Sequence, residues 1–365
     1  MKLSATRDVL LKPLQAVIGV VERRQTMPIL SNVLLVAKDG ELSVTATDLE
    51  VELVAQVNVD VQAGGEITVS GRKLLDICRA LPEGSEVAVS VSGEKLHVRS
   101  GRSKFALATL PAAEFPSVED IKAAQSISVS QEVLSRLIEK TYFSMAQQDV
   151  RYYLNGMLLE TEGQHIRSVA TDGHRLALCQ AELDGGKLEQ QQVIVPRKGV
   201  LELQRLLSGD GSVDVVLGAN HVRIQLDGIR FTSKLIDGRF PEYERVIPRE
   251  SSNEVRADRD VLRGGLQRTA ILSNEKYRGI RLIVRDNALI LQAHNPEQEE
   301  AEEELEVSYS GDDLEIGFNV NYLLDAIGAV DSDEVTVSMV DSNSSCLIRA
   351  PEQDDCKFVV MPMRL

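Results

Sequence analysis

The sequence predicts an α+β protein made of three tandem copies of one domain, each with two helices packed on a mostly antiparallel sheet. A strand-to-helix segment near the start recurs after 124 residues and again after a further 128. A second strand-to-helix segment recurs in the same order at a similar spacing. Recurrence in order and at one period indicates an internal repeat rather than three unrelated domains.

The first repeated segment is a short alternating strand followed by a helix cap and, two positions later, an acid. The caps and acids are, in copy order, Thr6 and Asp8, Ser130 and Glu132, and Asp258 and Asp260. A cap oxygen accepts a first-turn N–H, and an acid suits the positive end of a helix. In the first copy, apolar residues follow at helical spacing, at Leu10, Leu14, Val17 and Val21. The pattern predicts three helices that begin in the same register.

The second repeated segment spans residues 67–76, 193–202 and 316–325, and each copy reads as a buried strand that turns into a helix. Between the two helices, an Ala-Thr-Asp motif at 46–48 and 170–172 has a weaker echo, Ala-His-Asn, at 293–295.

Alternating strands with turn residues follow the second helix. They are predicted at 87–91, 96–100 and 105–110 in the first copy and at 213–216, 222–226 and 231–235 in the second. Two Pro-bearing stretches, each with a Phe-Pro pair, separate the copies. The predicted domains are 1–124, 125–250 and 251–365.

Composition limits the classes of function. The 365 residues are 43% apolar, enough to bury a sizeable core, but contain no apolar run that could cross a membrane and no apolar secretory region at the start. Four scattered cysteines without C-x-x-C pairing predict a reduced, cytosolic protein without a thiolate metal site. With no Trp and 4% aromatic residues, base-stacking platforms are scarce.

The charges separate by sign. The six helical segments hold thirteen basic and eight acidic side chains, so they carry +5 in a chain of net charge -16. Ordinary solvated helix faces would explain each helix alone. Segregation over three similar domains instead favours one basic face, which would bind phosphates without reading bases.

Opposite charges are also concentrated in the first and third copies, basic in the first and acidic in the third. A glutamate run at 297–306 lies in the third copy, and Lys95, Arg99, Arg102 and Lys104 lie in the first. Solvated surface is the commoner meaning of such runs, but this placement allows head-to-tail pairing between chains. The candidates for the apolar centre of that contact are Phe105, Leu107, Ile271 and Leu272. The apolar C-terminal segment at 358–365 suits a final strand, a docking groove, or both.

The sequence contains no recognisable catalytic or metal-binding motif. The five histidines lack metal-binding spacing, and Gly173-His174-Arg175, near Asp172 and Ser144, lacks a G-x-S-x-G motif. The glutamate run lacks the spacing of an EF-hand loop. The sequence predicts no catalytic residue, no metal and no cofactor.

At this point a family resemblance emerges over the whole length of the chain. The stretches that carry it are 148–157 (QDVRYYLNGM), 170–176 (ATDGHRL), 195–199 (VPRKG), 237–241 (DGRFP), 295–301 (NPEQEEA) and 360–365 (VMPMRL). The chain closely resembles the bacterial DNA polymerase III beta subunits, the sliding clamps.

The resemblance implies the DNA clamp fold: a head-to-tail homodimer whose six domains form a ring, with helices inside and sheets outside, around double-stranded DNA. Such a ring is a non-enzymatic processivity factor that slides without sequence specificity in the cytoplasm, on the nucleoid. It implies several partners: the replicative polymerase alpha subunit, the clamp loader complex, and other polymerases and repair proteins that bind through a short peptide motif.

The resemblance also implies site residues. The DNA-contacting positions are Arg24, Arg72, Gln148, Tyr152 and Tyr153, with Lys198 as a helper. The partner-peptide groove is Arg151, Leu154, Thr171, Gly173, His174, Arg175, Leu176, Pro241, Arg245, Val246, Asn343, Ser345, Val359, Val360, Met361, Pro362, Met363, Arg364 and Leu365. The dimer interface is Lys73, Arg102, Phe105, Leu107, Ile271, Leu272, Glu299, Glu300 and Glu303. Asn343 departs from the apolar residue usual in the family, which would make that edge of the groove more polar.

Two alternatives stay open at this stage. One is an acidic scaffold or regulator that forms no ring and binds DNA reversibly along its basic face. The other is a nuclease or transferase, which would need a carboxylate cluster for metal that the sequence does not reveal.

Overall fold

The computed structural model describes residues 1–21, 27–116, 123–183, 186–207, 209–248 and 253–364. These residues form two compact units, Met1–Glu132 with Lys198–Leu235, and Val133–Arg197 with Ile236–Leu365. Within the described ranges the fold is α+β, as predicted, with six α-helices and 25 strands.

The elements repeat three times along the chain. The first set is β1 (Lys2–Thr6), α1 (Arg7–Val17), β2 (Asn32–Lys38), β3 (Glu41–Thr47), β4 (Val51–Asn58), β5 (Asp60–Ala63), β6 (Gly65–Ser70), α2 (Gly71–Ala80), β7 (Glu86–Ser92), β8 (Lys95–Ser100) and β9 (Ser103–Leu110). The second set is β10 (Ala123–Ser130), α3 (Gln131–Glu139), β11 (Gly156–Gly163), β12 (His165–Thr171), β13 (Arg175–Glu182), β14 (Leu188–Pro196), α4 (Arg197–Leu206), β15 (Ser212–Gly218), β16 (His221–Leu226) and β17 (Ile229–Lys234). The third set is β18 (Asn253–Asp258), α5 (Arg259–Thr269), β19 (Gly279–Arg285), β20 (Ala288–His294), β21 (Glu300–Glu306), β22 (Leu314–Asn319), α6 (Val320–Gly328), β23 (Glu334–Met339), β24 (Cys346–Arg349) and β25 (Cys356–Val360).

The first helix of each set begins one residue after its predicted cap, so the predicted shared register is confirmed. In all three copies the first helical N–H donates to the backbone carbonyl just before the strand that follows the second helix, β7, β15 or β23. The bonds run from Arg7 to Ser85, from Gln131 to Gly211 and from Arg259 to Asp333, each at 2.8 Å. These carbonyls satisfy one of the unpaired N–H groups of a helix start.

Two details of the helix prediction are wrong. Asp258 caps α5 through its side chain, at 2.9 Å from the Val261 N–H, but Thr6 occupies the cap position of α1 without a side-chain cap bond. The apolar pattern also predicts too long a helix, because it continues to Val21 whereas α1 ends at Val17. A turn with bonds three residues apart follows, and Val21 is buried beyond the helix.

Every strand pairing described is antiparallel. In the first unit, thirteen strands form one sheet in the order β10-β15-β16-β17-β4-β3-β2-β6-β9-β8-β7-β1-β5. The second unit has an eight-stranded sheet, β14-β11-β12-β13-β25-β24-β23-β18, and a four-stranded sheet, β21-β20-β19-β22. Each of the two larger sheets therefore combines strands of two consecutive sets.

The helices bury one apolar stripe each. In the third set, Leu262 and Leu266 of α5 and Leu323 and Ile327 of α6 belong to one core cluster with the strands below them. No helix among the described residues is long and apolar enough to span a membrane.

Candidate functional site

The Ala-Thr-Asp motif folds into the same turn in the first two copies. The Thr47 hydroxyl donates to Val51 O at 3.0 Å, and the Asp48 Oδ1 accepts the Val51 N–H at 2.7 Å. Thr171 and Asp172 make the matching bonds to Arg175, at 2.6 and 3.0 Å. The turn therefore places the start of the next strand, β4 or β13, in the same way in each copy.

These strands carry the junctions between consecutive sets. At the first junction, β17 pairs with β4 and sets Phe231 opposite Leu53. At the second junction, β25 pairs with β13 and sets Phe358 opposite Ala177. Both phenylalanines are fully buried. The two junctions therefore share one strand pairing and one buried aromatic anchor.

Ion pairs reinforce both junctions. At the first junction, Lys198 forms a salt bridge with Asp48. At the second, Arg136 bonds Asp355 at 2.7 Å, and Lys140 forms a salt bridge with Asp331. All three basic residues belong to the predicted basic face, but their charges are paired with acids of the same chain.

Arg205 is a fourth basic residue that acts inside the chain. Its guanidinium donates to Gln15 O at 3.3 Å and to Ala16 O at 2.5 Å, at the C-terminal end of α1. Those carbonyls are the groups that a helix end leaves unpaired, so Arg205 caps α1.

At each junction, a strand pairs with a strand of the neighbouring set. Within the described residues, two strands equivalent to the junction strands, β9 and β21, have no such partner. β21 is an edge strand of the four-stranded sheet. β9 pairs fully with β8, but on its other side only Thr109 and Leu110 pair with β6. Residues 103–108 of β9 therefore present an open backbone edge.

The predicted dimer-interface residues lie on or beside these two edges, except Lys73, which lies on α2. Phe105 and Leu107 are half-buried on β9, and Arg102 and Lys73 are exposed. In the other unit, Ile271 is 75% exposed in the turn after α5, and Leu272 is half-buried. Glu299 and Glu300 are exposed, whereas Glu303 is half-buried and forms a salt bridge with Arg268 that lowers its pKa.

The predicted DNA-contacting residues divide into two groups. Arg72 is half-buried on α2 and donates to Val21 O at 2.7 Å, while its Nε has no partner among the described residues. Arg24 lies outside the described residues. Arg72 thus bonds the backbone of Val21, the last residue described before residue 27.

The second group is a tightly braced loop at 148–153. The side chain of Asn155 bonds both the N–H and the carbonyl of Asp149, each at 2.9 Å. This bracing holds Gln148 in a left-handed conformation, with φ of 55°. Val150 is 95% exposed and Tyr152 is 57% exposed, so the loop presents apolar groups to solvent.

Tyr152 is supported from two sides. Its ring meets Tyr153 edge-on, with centroids 5.8 Å apart. Gly238 packs against both tyrosines, since a Cβ on it would lie 3.4 Å from Tyr152 Cε2 and 3.5 Å from Tyr153 Cβ. Within the motif at 237–241 only Pro241 has a role predicted from the sequence, in the groove, and this contact gives Gly238 one as well.

The floor of the predicted peptide groove is an apolar cluster. Leu176 and Val359 are buried opposite each other across the second junction, and Val246 and Tyr153 pack against the same cluster. Leu154 and Val360 are buried as well. The structure therefore brings Leu176, Val246 and Val359 together, whereas Val360 belongs to the core cluster of the third set.

Arg151 and the turn at 171–175 form a polar wall. Arg151 pairs with Asp149 at 2.9 Å, and its guanidinium lowers the pKa of that carboxyl to about 2. The Arg151 side chain also donates to Asp172 O at 3.2 Å and lies over Gly173, where a Cβ would come within 2.9 Å of its Nη1.

Arg175, predicted to line the groove, is largely engaged in contacts within the chain. It bonds Asp172 and Asp325, donates to Phe143 O at 2.6 Å, and stacks on the Tyr322 ring at 4.4 Å. These contacts fix its half-buried side chain and make it a supporting residue of the wall.

The C-terminal segment forms another side of the predicted peptide groove. The Met361 N–H donates to His174 O at 2.9 Å, and the Met363 N–H donates to Gly317 O at 2.8 Å. His174, Met361 and Arg364 are exposed, Pro362 is half-buried, and Leu365 lies outside the described residues.

The remaining groove predictions occupy the rim. Pro241 and Arg245 are exposed, and Arg245 pairs with Glu242 at 2.7 Å. Asn343 is exposed and bonds within its own turn, and Ser345 is half-buried two residues before Leu347 of the floor.

No group of three or more His, Cys, Asp or Glu side chains within the described ranges is arranged to hold a metal ion.

The chain matches the models for the DNA polymerase III beta subunit N-terminal domain at residues 1–119, central domain at 128–242 and C-terminal domain at 244–364. It is 56% identical to the beta sliding clamp of Pseudomonas aeruginosa and 53% identical to that of Escherichia coli K12, with both chains covered completely.

Solved structures agree in fold. A crystal structure of the Pseudomonas aeruginosa sliding clamp bound to griselimycin superposes with a TM-score of 0.97 at 56% identity, and covers all of both chains. The DNA polymerase sliding clamp from Caulobacter crescentus gives a TM-score of 0.95 at 39% identity, again over both full chains.

Proposed function

Because the chain belongs to the bacterial DNA polymerase III beta subunit family and is a DNA sliding clamp, we propose that two copies close head to tail into a ring around duplex DNA. Each copy would contribute domains 1–124, 125–250 and 251–365. The ring would act by enclosure and would perform no chemistry of its own.

The observation that carries the proposal is the third phenylalanine. Phe105, Phe231 and Phe358 occupy equivalent positions, since they pair with Val98, Ile224 and Ile348 on the preceding strands. Phe231 and Phe358 are fully buried at junctions inside the chain, while Phe105 stays half-exposed on an open edge. A third junction, with a second copy, would complete its burial.

The repeat also supplies the register of that third junction. Leu53, Ala177 and Ala301 are equivalent, because each pairs with the alanine of the Ala-Thr-Asp motif or of its echo. Since Phe231 faces Leu53 and Phe358 faces Ala177, Phe105 should face the partner's Ala301. Antiparallel pairing then sets Lys104 opposite the partner's Glu302 and Ser103 opposite the partner's Glu303.

Side chains beside the strands support the same pairing. At the second junction, Phe358 packs near Phe143, with ring centroids 6.1 Å apart. Phe143 is the middle residue of the short turn after α3, and Ile271 holds the matching place after α5, beside Leu272. In the proposed ring, Phe105 therefore meets the partner's Ile271, next to the partner's Leu272.

Charge gives the contact its direction. The exposed groups on β21 are glutamates, which protect an open edge from pairing with itself. Arg102 and Lys104 beside the edge of β9 are exposed and basic. Head-to-tail contact is thus attractive, whereas two β21 edges repel.

The DNA contacts proposed are Arg24, Arg72, Gln148, Tyr152 and Tyr153, with Lys198 as a minor helper because it already pairs with Asp48. These side chains would touch the phosphate backbone without reading bases, so binding would be weak and mobile. Enclosure would supply the long residence.

The groove of the second unit would bind a short peptide of the replicative polymerase alpha subunit, of the clamp loader or of repair proteins. Its apolar floor and polar wall suit an extended segment with apolar anchors. We propose that this occurs in the cytoplasm, on nucleoid DNA.

Cysteine cross-linking tests the ring and its register together. By analogy with the second junction, Ser103 and the partner's Glu303 form a closely spaced pair. In a Cys179→Ser and Cys356→Ser background, the Ser103→Cys, Glu303→Cys variant should oxidise to a covalent dimer, a closed ring with a disulfide at each of its two interfaces. Each single variant should stay free of interchain disulfide.

A register control is the Lys104→Cys, Glu303→Cys variant, which should cross-link less. Equal cross-linking of both double variants would contradict the register. A failure of both to cross-link, together with monomeric mass at micromolar concentration, would contradict the ring and favour the scaffold that binds DNA reversibly.

A further inference from the structure

Two cysteines face each other across the second junction. Cys179 of β13 and Cys356 of β25 are direct partners in the strand pairing. Cys179 is fully buried and Cys356, the first residue of its strand, is half-buried. Both are free thiols, and their side chains are in hydrogen-bonding contact.

The backbone places this pair at a narrow position of the ladder. Gln180 N–H donates to Asp355 O at 2.8 Å, and Met361 N–H donates to His174 O at 2.9 Å. Hydrogen-bonded and non-hydrogen-bonded pairs alternate along an antiparallel ladder, so Cys179 and Cys356 form a non-hydrogen-bonded pair. Such pairs have Cα atoms about 4.5 Å apart, which lies within the range that a disulfide spans.

An arginine lies beside the pair. Arg136 Nη1 lies 3.5 Å from the Cys179 sulfur, and Arg136 also bonds Asp355. The hydrogen bond from Cys356, with Arg136 beside it, holds the pKa of Cys179 below its usual value despite burial. The same hydrogen bond and burial raise the pKa of Cys356.

The other two cysteines are chemically different. Burial raises the pKa of Cys78 to about 11 and that of Cys346 to about 12. A thiol held protonated in an apolar core reacts slowly, because the thiolate is the nucleophile.

We propose that Cys179 and Cys356 form a redox-modification site that closes to an intrachain disulfide on exposure to a peroxide. Because Cys356 begins β25, fraying of that strand end opens a path to the Cys179 sulfur. The site lies within one protomer and is independent of ring closure.

The chemistry balances with hydrogen peroxide as the oxidant. The Cys179 thiolate attacks one peroxide oxygen, the O–O bond breaks, and the departing hydroxide takes a proton to become water. The Cys356 sulfur then attacks the sulfenic acid, the S–S bond forms, the S–OH bond breaks, and a second water leaves with the Cys356 proton. The two sulfurs lose two electrons and one peroxide becomes two waters.

The disulfide would fasten the strand that leads into the groove. β25 ends at Val360, and the Met361 N–H bonds His174 O beyond the other end of the pairing. A cross-link at Cys356 therefore opposes separation of β25 from β13. Unfolding of the oxidised protein should need more urea, and a reductant should reverse the shift.

The test oxidises the full-length protein with hydrogen peroxide, then alkylates remaining thiols under denaturing conditions and maps peptides by mass spectrometry. The expected result is loss of two of the four alkylatable thiols, one linked peptide joining Cys179 to Cys356, and no dimer formed through disulfide. The Cys78→Ser variant should form the same link, and the Cys356→Ser variant should form none.

Three results would overturn the proposal: all four thiols remain alkylatable, the link joins different chains, or Cys78 or Cys346 is consumed first. The wild-type peptide map decides the matter even if Cys356→Ser folds poorly.

Discussion

Replacing Phe105 with alanine tests the proposed third junction at the residue on which its assignment depends. Phe105 is half-exposed in the single chain, while its equivalents Phe231 and Phe358 are fully buried. The change should therefore weaken dimerisation strongly and affect the fold of each protomer mildly.

The magnitude follows from the area that dimerisation would cover. Completing the burial of this ring removes about 50 Å² of its own surface and a similar area of the partner's, worth about 2.5 kcal/mol at roughly 25 cal/mol per Å². A head-to-tail ring repeats the contact, so Phe105→Ala should cost about 5 kcal/mol, or three to four orders of magnitude in the dimer Kd.

Analytical ultracentrifugation over a dilution series measures this Kd directly. Val150→Ala is a suitable control, because Val150 is 95% exposed and belongs to neither β9 nor β21. An unchanged dimer Kd for Phe105→Ala, or an equal loss in the Val150→Ala control, would refute the junction argument. Leu272→Ala should weaken the same contact by a few kcal/mol at most.

Three further predictions concern the groove and the loop beside it. Gly173→Ala should weaken binding of a partner peptide in a fluorescence titration, because φ is 88° and the new Cβ would lie 2.9 Å from Arg151; Gly163→Ala, with φ of 62° and open space, should not. Tyr152→Ala should reduce DNA affinity in a low-salt binding assay while the dimer mass is unchanged, and equal affinity would remove Tyr152 from the DNA set. The pKa of Asp149 is lowered to about 2, so its ion pair stabilises the loop above the unfolded pKa of about 3.9 and is lost as pH falls through about 2. The NMR signal of the Arg151 side-chain N–H should hold down to about pH 3 and then shift, and Asp149→Asn should abolish that titration.

The internal repeat made most of the fold predictable. Helix starts at Arg7, Gln131 and Arg259 follow from the shared pattern of strand, cap and acid. The end of α1 did not follow, because the buried Val21 continues the apolar period beyond the last helical residue, Val17. Periodicity reports burial, and a buried turn residue fits it as well as a helical one.

Charge was harder to assign from sequence. Arg136, Lys140 and Arg205 lie in or just after helices, as residues of a basic face would, yet they bond acids and carbonyls of other segments. Those partners are distant in sequence, so no local pattern could reveal them. The role of Asn155 was missed for a related reason, since its bonds to Asp149 depend on the path of the loop.

The proposed register of the third junction could not be predicted from the sequence alone. Phe105 and Phe231 were both recognised as strand residues, but their equivalence to Phe358 becomes clear only when the pairings with Val98, Ile224 and Ile348 are known. Sequence similarity among these strands is too slight to align them.

Retention on circular DNA tests enclosure most directly. The protein is loaded on a nicked circle with a clamp loader, and the circle is then cut once. If two protomers encircle the duplex, the protein stays on the intact circle and leaves through the ends soon after cutting. Continued retention on the linear product, or equally fast loss from circle and line, would contradict the account.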